Sequence, residues 1–479
     1  MPYVARRSEP RTALGAVAEP GQTGAKRARP AGRTRLVRLR REAGWVLAHK
    51  GLELILSILT LKVLTTVMRD DPAAYGEFNL ALTGTVLLAN VTLVPANQAY
   101  LRYYHTAAAH GAARGAAAIV VRWYAWATGA VALACGAFSV PIARAFGLEP
   151  WTLLATGLVF LTNRWRTLGI EILEVARARR QSTLRNLGFL ALQLVAVAGA
   201  ASLHAAKATA ALLAYAFAAG VFAYTTLAPW LRSIQGTPDR APSGLGHLIV
   251  TYGVPAAVLL QCQWVQSFAD RYILGTWTDL DAVGRYVAAY QVCGMPYMLL
   301  MGTLYALFVP IAYERAQNVG DAQQVWAGDR VILASVVVYA LVGGLGLAVF
   351  LRWGGPILRF FTAAQFSVPW SILVLLALAR YLQNLSALLQ CFFAVHQKMA
   401  TSLAFRAVGA AVTVPLCWVA VQHYGMAGAA FGSAVAAGMY GVIVTFGPGG
   451  CFAMVWESRQ RVRLRVTPPM PAAEIGGCS

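Results

Sequence analysis

Between residues 45 and 449 the chain carries one apolar run after another, each long enough to cross the roughly 30 Å hydrocarbon core of a bilayer. At about 20 residues per crossing, twelve fit: 45–68, 77–103, 117–146, 151–176, 183–203, 208–230, 247–273, 285–312, 330–351, 368–394, 402–421 and 426–449. Lipid supplies no partner for a backbone N–H or C=O, so runs of this kind must close their hydrogen bonds internally, as helices. The expected fold is therefore an all-α polytopic membrane protein. Composition agrees: the chain is 58% hydrophobic and 12% charged, against about 25% charged in soluble domains.

The formal charge of +21 would suggest a nucleic-acid partner in a soluble protein. Here the basic residues sit between apolar runs, where they set topology instead, and no nucleic-acid partner is expected. Arg102, Arg114 and Arg122, then Arg177, Arg179, Arg180 and Arg185, Arg232 and Arg240, Arg315 and Arg330, Lys398 and Arg406, and finally Arg459 to Arg465 occupy alternate connections. The intervening loops are poorer in basic residues or acidic, as in Asp70-Asp71 and Asp279-Asp281. Both termini are thus expected in the cytoplasm. Trp45, Trp151, Trp230 and Trp370 near run ends suit the interfacial belt. Seven single cysteines without a CxxC offer neither a zinc site nor a disulfide framework. No phosphate loop, metal-ligand spacing or loop long enough for a catalytic domain is present; no cofactor is expected, and a transporter rather than an enzyme is.

Residues 1–43 are rich in Arg, Pro, Gly and Ala without an apolar h-region, so no signal peptide is expected. They read either as a disordered basic cytoplasmic tail or as sequence upstream of the true start. The remainder divides into an N-lobe of six helices (44–231), a cytoplasmic linker (232–246), a C-lobe of six helices (247–450) and a C-terminal cytoplasmic tail (451–479).

Two echoes support the halves. Tyr75-Gly76-Glu77-Phe78, after an apolar helix and an acidic loop, matches Val283-Gly284-Arg285-Tyr286, 208 positions on. RARRQSTL from Arg177 resembles HQKMATSL from His396, with Arg179 on Lys398, 219 positions on. Duplicated halves place a transporter's site between them.

Charges inside a bilayer cost about 2.5–3.5 kcal/mol each on insertion scales. The fourth run carries Arg164, Arg166, Glu171 and Glu174. Arg164 lies about 20 Å in from Trp151, and Arg166 points about 200° away from it, so only one arginine can face a central cavity. Arg164 is the expected one. In the tenth run Arg380, Gln383 and Asn384 share a face; in the second, Asn79, Asn90 and Asn97 form a stripe, with Pro95 as a kink. Such amides either line a cavity or hold helices together. Gln263, Gln266 and Asp270 share a face of the seventh run, with an interfacial Asp270–Arg271 pair as the alternative for Asp270. Lys62 either snorkels outward or lines the pathway.

GLELILSILTLKVLTTVMRDDPAAYGEFNLAL with NQAYLRYYH, and YGVPAAVLL, SFADRYILG, DAVGRYVAAYQV and FVPIAYE, resemble Wzx-type polysaccharide and O-antigen flippases of the multidrug/oligosaccharidyl-lipid/polysaccharide exporter superfamily. The resemblance covers about residues 45–450. It implies two pseudo-symmetric six-helix lobes that alternate access in a bacterial inner membrane. It also implies an undecaprenyl-pyrophosphate-linked oligosaccharide as substrate, moved between leaflets for polysaccharide biosynthesis, with polymerase or export machinery and membrane lipids as partners. The chain departs from that family in its long basic N-terminal stretch and in the arginines of the fourth run, so the site rests on the helix geometry above and not on the resemblance. Arg164 and Arg380 would hold the pyrophosphate, Asn90, Asn97, Gln263, Gln266, Gln383 and Asn384 would hydrogen-bond sugar hydroxyls, and Lys62 is a further candidate for the lining. The driving force stays open between proton, sodium, membrane potential and mass action. The rival readings are a multidrug antiporter of the same superfamily, which would want an acidic cavity, and a membrane glycosyltransferase or polymerase.

Overall fold

The structure, a computed structural model, describes residues 32–109, 112–146, 149–175, 178–200, 207–234, 247, 249–316 and 321–466. Two compact units divide the chain: Met1–Trp45, described from Gly32 on, where it is helical, and Val46–Ser479, which holds the bundle. The expected basic tail up to residue 31, most of the 232–246 linker and residues 467–479 lie outside the described residues.

Fifteen α-helices are described, and no strand is among the described residues. The N-lobe comprises α1 (Gly32–Val67), α2 (Pro72–Thr92) and α3 (Val94–Ala109), α4 (Ala113–Ala137) and α5 (Ser139–Phe146), α6 (Pro150–Val175), α7 (Arg179–Ala200) and α8 (Lys207–Ile234). A π-helical turn, Ile249–Gly253, then leads into the C-lobe: α9 (Val254–Trp277), α10 (Leu280–Arg315), α11 (Ala322–Phe361), α12 (Trp370–Leu389), α13 (Cys391–Val395) and α14 (Met399–Phe446). The last of these is two spans joined at Gly425, whose φ of 54° and ψ of −128° break the helix. A further helix, α15 (Cys451–Val466), follows where the sequence reading has a tail. The fold is that of a multi-pass membrane protein with two six-helix lobes.

Among the described residues, seven helices are apolar and long enough to cross a membrane, and an eighth if the bent α2–α3 pair is one span. The shortfall in α1, α6 and α9 has a chemical cause. These helices hold Lys50, Glu53 and Lys62, then Arg164, Arg166, Glu171 and Glu174, and Asp270 with Arg271. The helices least suited to lipid by composition are those that carry charge into the bundle.

The α2–α3 bend is 61° and falls where Pro95 removes a helix-internal donor. The Thr92 carbonyl at the break accepts from the Trp123 indole N–H on α4 at 2.7 Å, which ties the bend to its neighbour.

At the end of the bundle bearing residues 69–71 and 278–281, the sequence echo becomes an axis. A Cβ placed on Gly76 would overlap the Leu280 carbonyl oxygen and lie 3.0 Å from the Gly284 nitrogen. One on Gly284 would overlap the Pro72 oxygen and lie 3.1 Å from the Gly76 nitrogen. Pro72 and Leu280 are themselves 208 positions apart, so the contact is its own image under a twofold rotation. Asp71 and Asp279, again 208 apart, cap the two helices through Ala74 N–H at 3.1 Å and Ala282 N–H at 2.7 Å. The acidic loops are therefore N-caps as well as charge-poor connections. Only glycine permits backbones to approach this closely.

The largest apolar cluster lies behind this crossing and spans both lobes, from Leu61, Leu64 and Met68 through Tyr75 and Phe78 to Tyr286, Val287 and Cys293. Smaller cores sit within each lobe, around Tyr124 and Phe160 in one and Phe392, Phe393 and Phe405 in the other.

Candidate translocation pathway

The polar side chains of α2 face the C-lobe and are used as connectors. Tyr75 donates to Gln291 at 3.0 Å, and Gln291 donates to Asn79 at 2.8 Å. Trp264 and Tyr272 of α9 donate to the Thr83 and Leu80 carbonyls at 2.9 and 2.8 Å. Asn90 donates to the Leu260 carbonyl at 3.2 Å. The expected amide stripe is there, but Asn79 and Asn90 hold the lobes together rather than facing a void. Asn97, on α3, bonds within the N-lobe to Glu171 at 2.6 Å.

Lys62 does not stand free. Its ammonium donates to the Thr362 carbonyl at 2.8 Å, at the C-cap of α11, where helix carbonyls favour a cation. Beside it Tyr75 meets Phe366 edge-on at 5.4 Å. This contact, the glycine crossing and the Tyr75–Gln291–Asn79 chain close the two lobes against each other at this end.

Arg164 reaches from α6 to the Thr85 carbonyl of α2 at 3.1 Å, and its Nε is buried without a partner. Arg166, as its helical phase requires, turns the other way. It bonds Asn163 and Asn186 at 3.0 and 3.1 Å and lies 3.9 Å over the Phe189 ring.

In the C-lobe Arg380 donates to Tyr290 at 2.8 Å and Gln383 at 3.0 Å, and Gly294 makes room for it. Tyr290 carries a second guanidinium: Arg271 lies 4.4 Å and Arg380 4.7 Å from its ring centroid. Arg271 is 3% exposed and makes no pair with Asp270. Asp270 instead accepts from Tyr286 at 2.5 Å and Ser433 at 2.9 Å. The interfacial Asp270–Arg271 pair considered from sequence is thus absent, because adjacent residues point about 100° apart on a helix. Asn384 bonds back to the Arg380 carbonyl on its own helix at 2.8 Å.

Gln266 and Gln383 belong to one network. Gln383 donates to the Gln266 carbonyl at 3.2 Å, and Gln266 accepts from Arg406 at 3.0 Å. Arg406 also holds Gln390, which bonds Tyr440. Arg406 is 7% exposed, so its use as a solvated loop charge in the sequence reading is corrected. Helix α14 begins at Met399, which puts Arg406 two turns inside. Gln263 is exposed, one turn from Ser267 on the stripe of α9 whose backbone accepts from Tyr290.

Arg164 and Arg380 share no partner; each is held inside its own lobe. Sequence reasoning missed Arg271, Arg406, Tyr290 and Gln390. The signal for Arg271 was on the page as Asp270-Arg271-Tyr272, three polar residues ending an apolar run. Among the described residues no group of three metal-ligating side chains comes together.

No protein-family model matches the chain, and no curated protein matches its sequence. The fold does have counterparts among solved structures. An inward-facing multidrug resistance MATE transporter of the MOP superfamily superposes with a TM-score of 0.63 at 14% identity, covering 88% of this chain and 96% of that one. The lipid II flippase MurJ, in an inward closed conformation, gives 0.61 at 11% identity over 90% of this chain and 93% of that one. A MOP superfamily transporter from Pyrococcus furiosus, described by the reverse polarity of its binding pocket, gives 0.60 at 13% over 90% and 96%. The fold is the one shared by these MOP superfamily transporters and the lipid II flippase. At these identities the likeness establishes architecture alone.

Proposed function

We propose that this protein is a flippase for an undecaprenyl-pyrophosphate-linked oligosaccharide repeat unit, moved across a bacterial inner membrane by alternating access for polysaccharide biosynthesis. One observation carries this reading. Arg164, Arg166, Arg271, Arg380 and Arg406 all lie within helices of the bundle, and none forms an ion pair among the described residues. The interior carboxylates take other partners: Glu171 accepts from Asn97, Glu174 from Ser182, Asp270 from Tyr286 and Ser433, and Asp329 lies against His396 and accepts from Ser458, so none is ion-paired to these guanidinium groups. An interior with surplus guanidinium suits a pyrophosphate headgroup, which Arg recognises through a planar fork. A pathway for cationic drugs calls for the opposite surplus, which weighs against the antiporter reading. The lipid II flippase and the reverse-polarity transporter share this fold, so both substrate polarities are compatible with the architecture.

On this reading the cation-lined surface comprises Arg164 in the N-lobe and Arg380 in the C-lobe, with Gln263, Gln266 and Gln383 on the C-lobe side and the buried Arg271 behind Tyr290 adding to the positive potential. On the same reading both termini are cytoplasmic and the closed end faces outward, an orientation that the alternation of basic connections supports. Arg380→Ala and Arg164→Ala should each abolish polymer export at normal protein level, with lipid-linked repeat units accumulating on the cytoplasmic side; Arg→Lys should retain part of it. Normal export from a well-expressed double Ala variant would overturn the cationic-pathway reading.

A further inference from the structure

Helix α15 presents three faces. Cys451, Met454 and Ser458, each no more than 4% exposed, bind it to the C-lobe: Ser458 donates to buried Asp329 on α11 at 2.7 Å, and the Cys451 thiol meets the Leu389 carbonyl at 3.2 Å. About 120° around the helix, at 3–4-residue spacing, come Phe452 and Trp456, 59% and 51% exposed, then the positions of Arg459 and Arg463. A third face carries exposed Glu457 and Arg461, 3.7 Å apart.

The aromatic face continues a surface whose covering is known. Met439, Val442 and Phe446 form an exposed apolar stripe on α14, a membrane-spanning helix, so acyl chains cover it. Phe446 meets Phe452 at 6.0 Å, and Phe452 stacks on Trp456 at 6.3 Å with 16° between the rings. The ladder thus runs unbroken from the spanning helix onto α15. Four arginines between 459 and 465 prevent α15 itself from spanning. A helix with one face on protein, one aromatic and basic, and one bearing a solvated ion pair fits the membrane–water boundary.

We propose that α15 is an interfacial helix and that Phe452, Trp456 and Arg459 form a docking site for an anionic phospholipid. The rings lie along its upper acyl chain and the guanidinium of Arg459 pairs with its headgroup phosphate. Anionic lipid, rather than a protein segment, is the occupant because the apolar half of the site is continuous with the acyl-covered face of α14 and its far half is cationic.

The test uses the full chain, reconstituted in phosphatidylcholine vesicles with or without phosphatidylglycerol. On a background without native cysteines, spin labels go onto Phe452→Cys, Trp456→Cys, Glu457→Cys and Arg461→Cys. Labels at 452 and 456 should be reached by oxygen and shielded from an aqueous nickel chelate, and labels at 457 and 461 the reverse. Arg459→Gln should lower the phosphatidylglycerol retained on purification by about fivefold, with unchanged melting of the protein. A label at 456 as open to the chelate as one at 457 would overturn the interfacial placement. Shielding at 456 with unchanged phosphatidylglycerol retention in the Arg459→Gln variant would leave a purely apolar anchor and overturn the lipid site.

Discussion

Replacing Gly284 with alanine tests the lobe crossing directly. The new methyl would overlap the Pro72 carbonyl oxygen, which is backbone and fixed by the Asp71 cap. No rotamer change relieves the clash, so α2 and α10 must separate by roughly an ångström, at the 1–3 kcal/mol typical of overpacking. The strain exists only while this end is closed. The variant should therefore shift the open-to-closed ratio about 5- to 150-fold without unfolding either lobe. Spin labels on Asp70→Cys and Thr276→Cys, both at exposed positions, report the separation by double electron–electron resonance. Gly76→Ala meets the Leu280 oxygen and should act in the same direction. Because one separation relieves both clashes, the double variant should cost clearly less than the sum of the singles. Distance distributions unchanged from wild type, or strictly additive effects, would refute the self-paired crossing.

Lys62→Met should remove an ammonium from the α11 C-cap and raise the open fraction in the same assay by on the order of two- to fivefold; no change would show that the Lys62–Thr362 bond does not latch the lobes. Arg406→Ala strands acceptors on Gln266 and Gln390 and should cost roughly 2–4 kcal/mol, read as a lower melting temperature in detergent, with Arg406→Lys intermediate; wild-type melting would mean Arg406 is not structural. Trp123→Phe should expose the Thr92 carbonyl at the α2–α3 bend and cost about 1 kcal/mol, checked by the same melt.

What could and could not be read from the sequence divides along the pseudo-twofold axis. Gly76 and Gly284 were legible because at the axis each copy of the repeat faces its own twin. The close approach that demands glycine in one copy demands it in the other, and the capping aspartates follow for the same reason. Away from the axis no residue faces its image, so the copies are free to differ. On the second echo's register Arg164 falls opposite Gln383 and Glu171 opposite Gln390. In the structure Arg164 reaches Thr85 while Gln383 serves Arg380 and Gln266. Arg406 was lost to a different ambiguity. Charge counting treats a residue within two turns of a helix start as a loop charge, and only the position of Gln266 and Gln390 on neighbouring helices turns this one inward. Helical phase did separate Arg164 from Arg166, because that depends on one helix alone. Which third helix supplies a partner depends on crossing angles that no single periodicity encodes. The symmetric lobe contact is therefore carried by residues that cannot vary independently, and the guanidinium surface by residues that can. A duplicated helical bundle can on these grounds keep one lobe contact while its interior charge diverges.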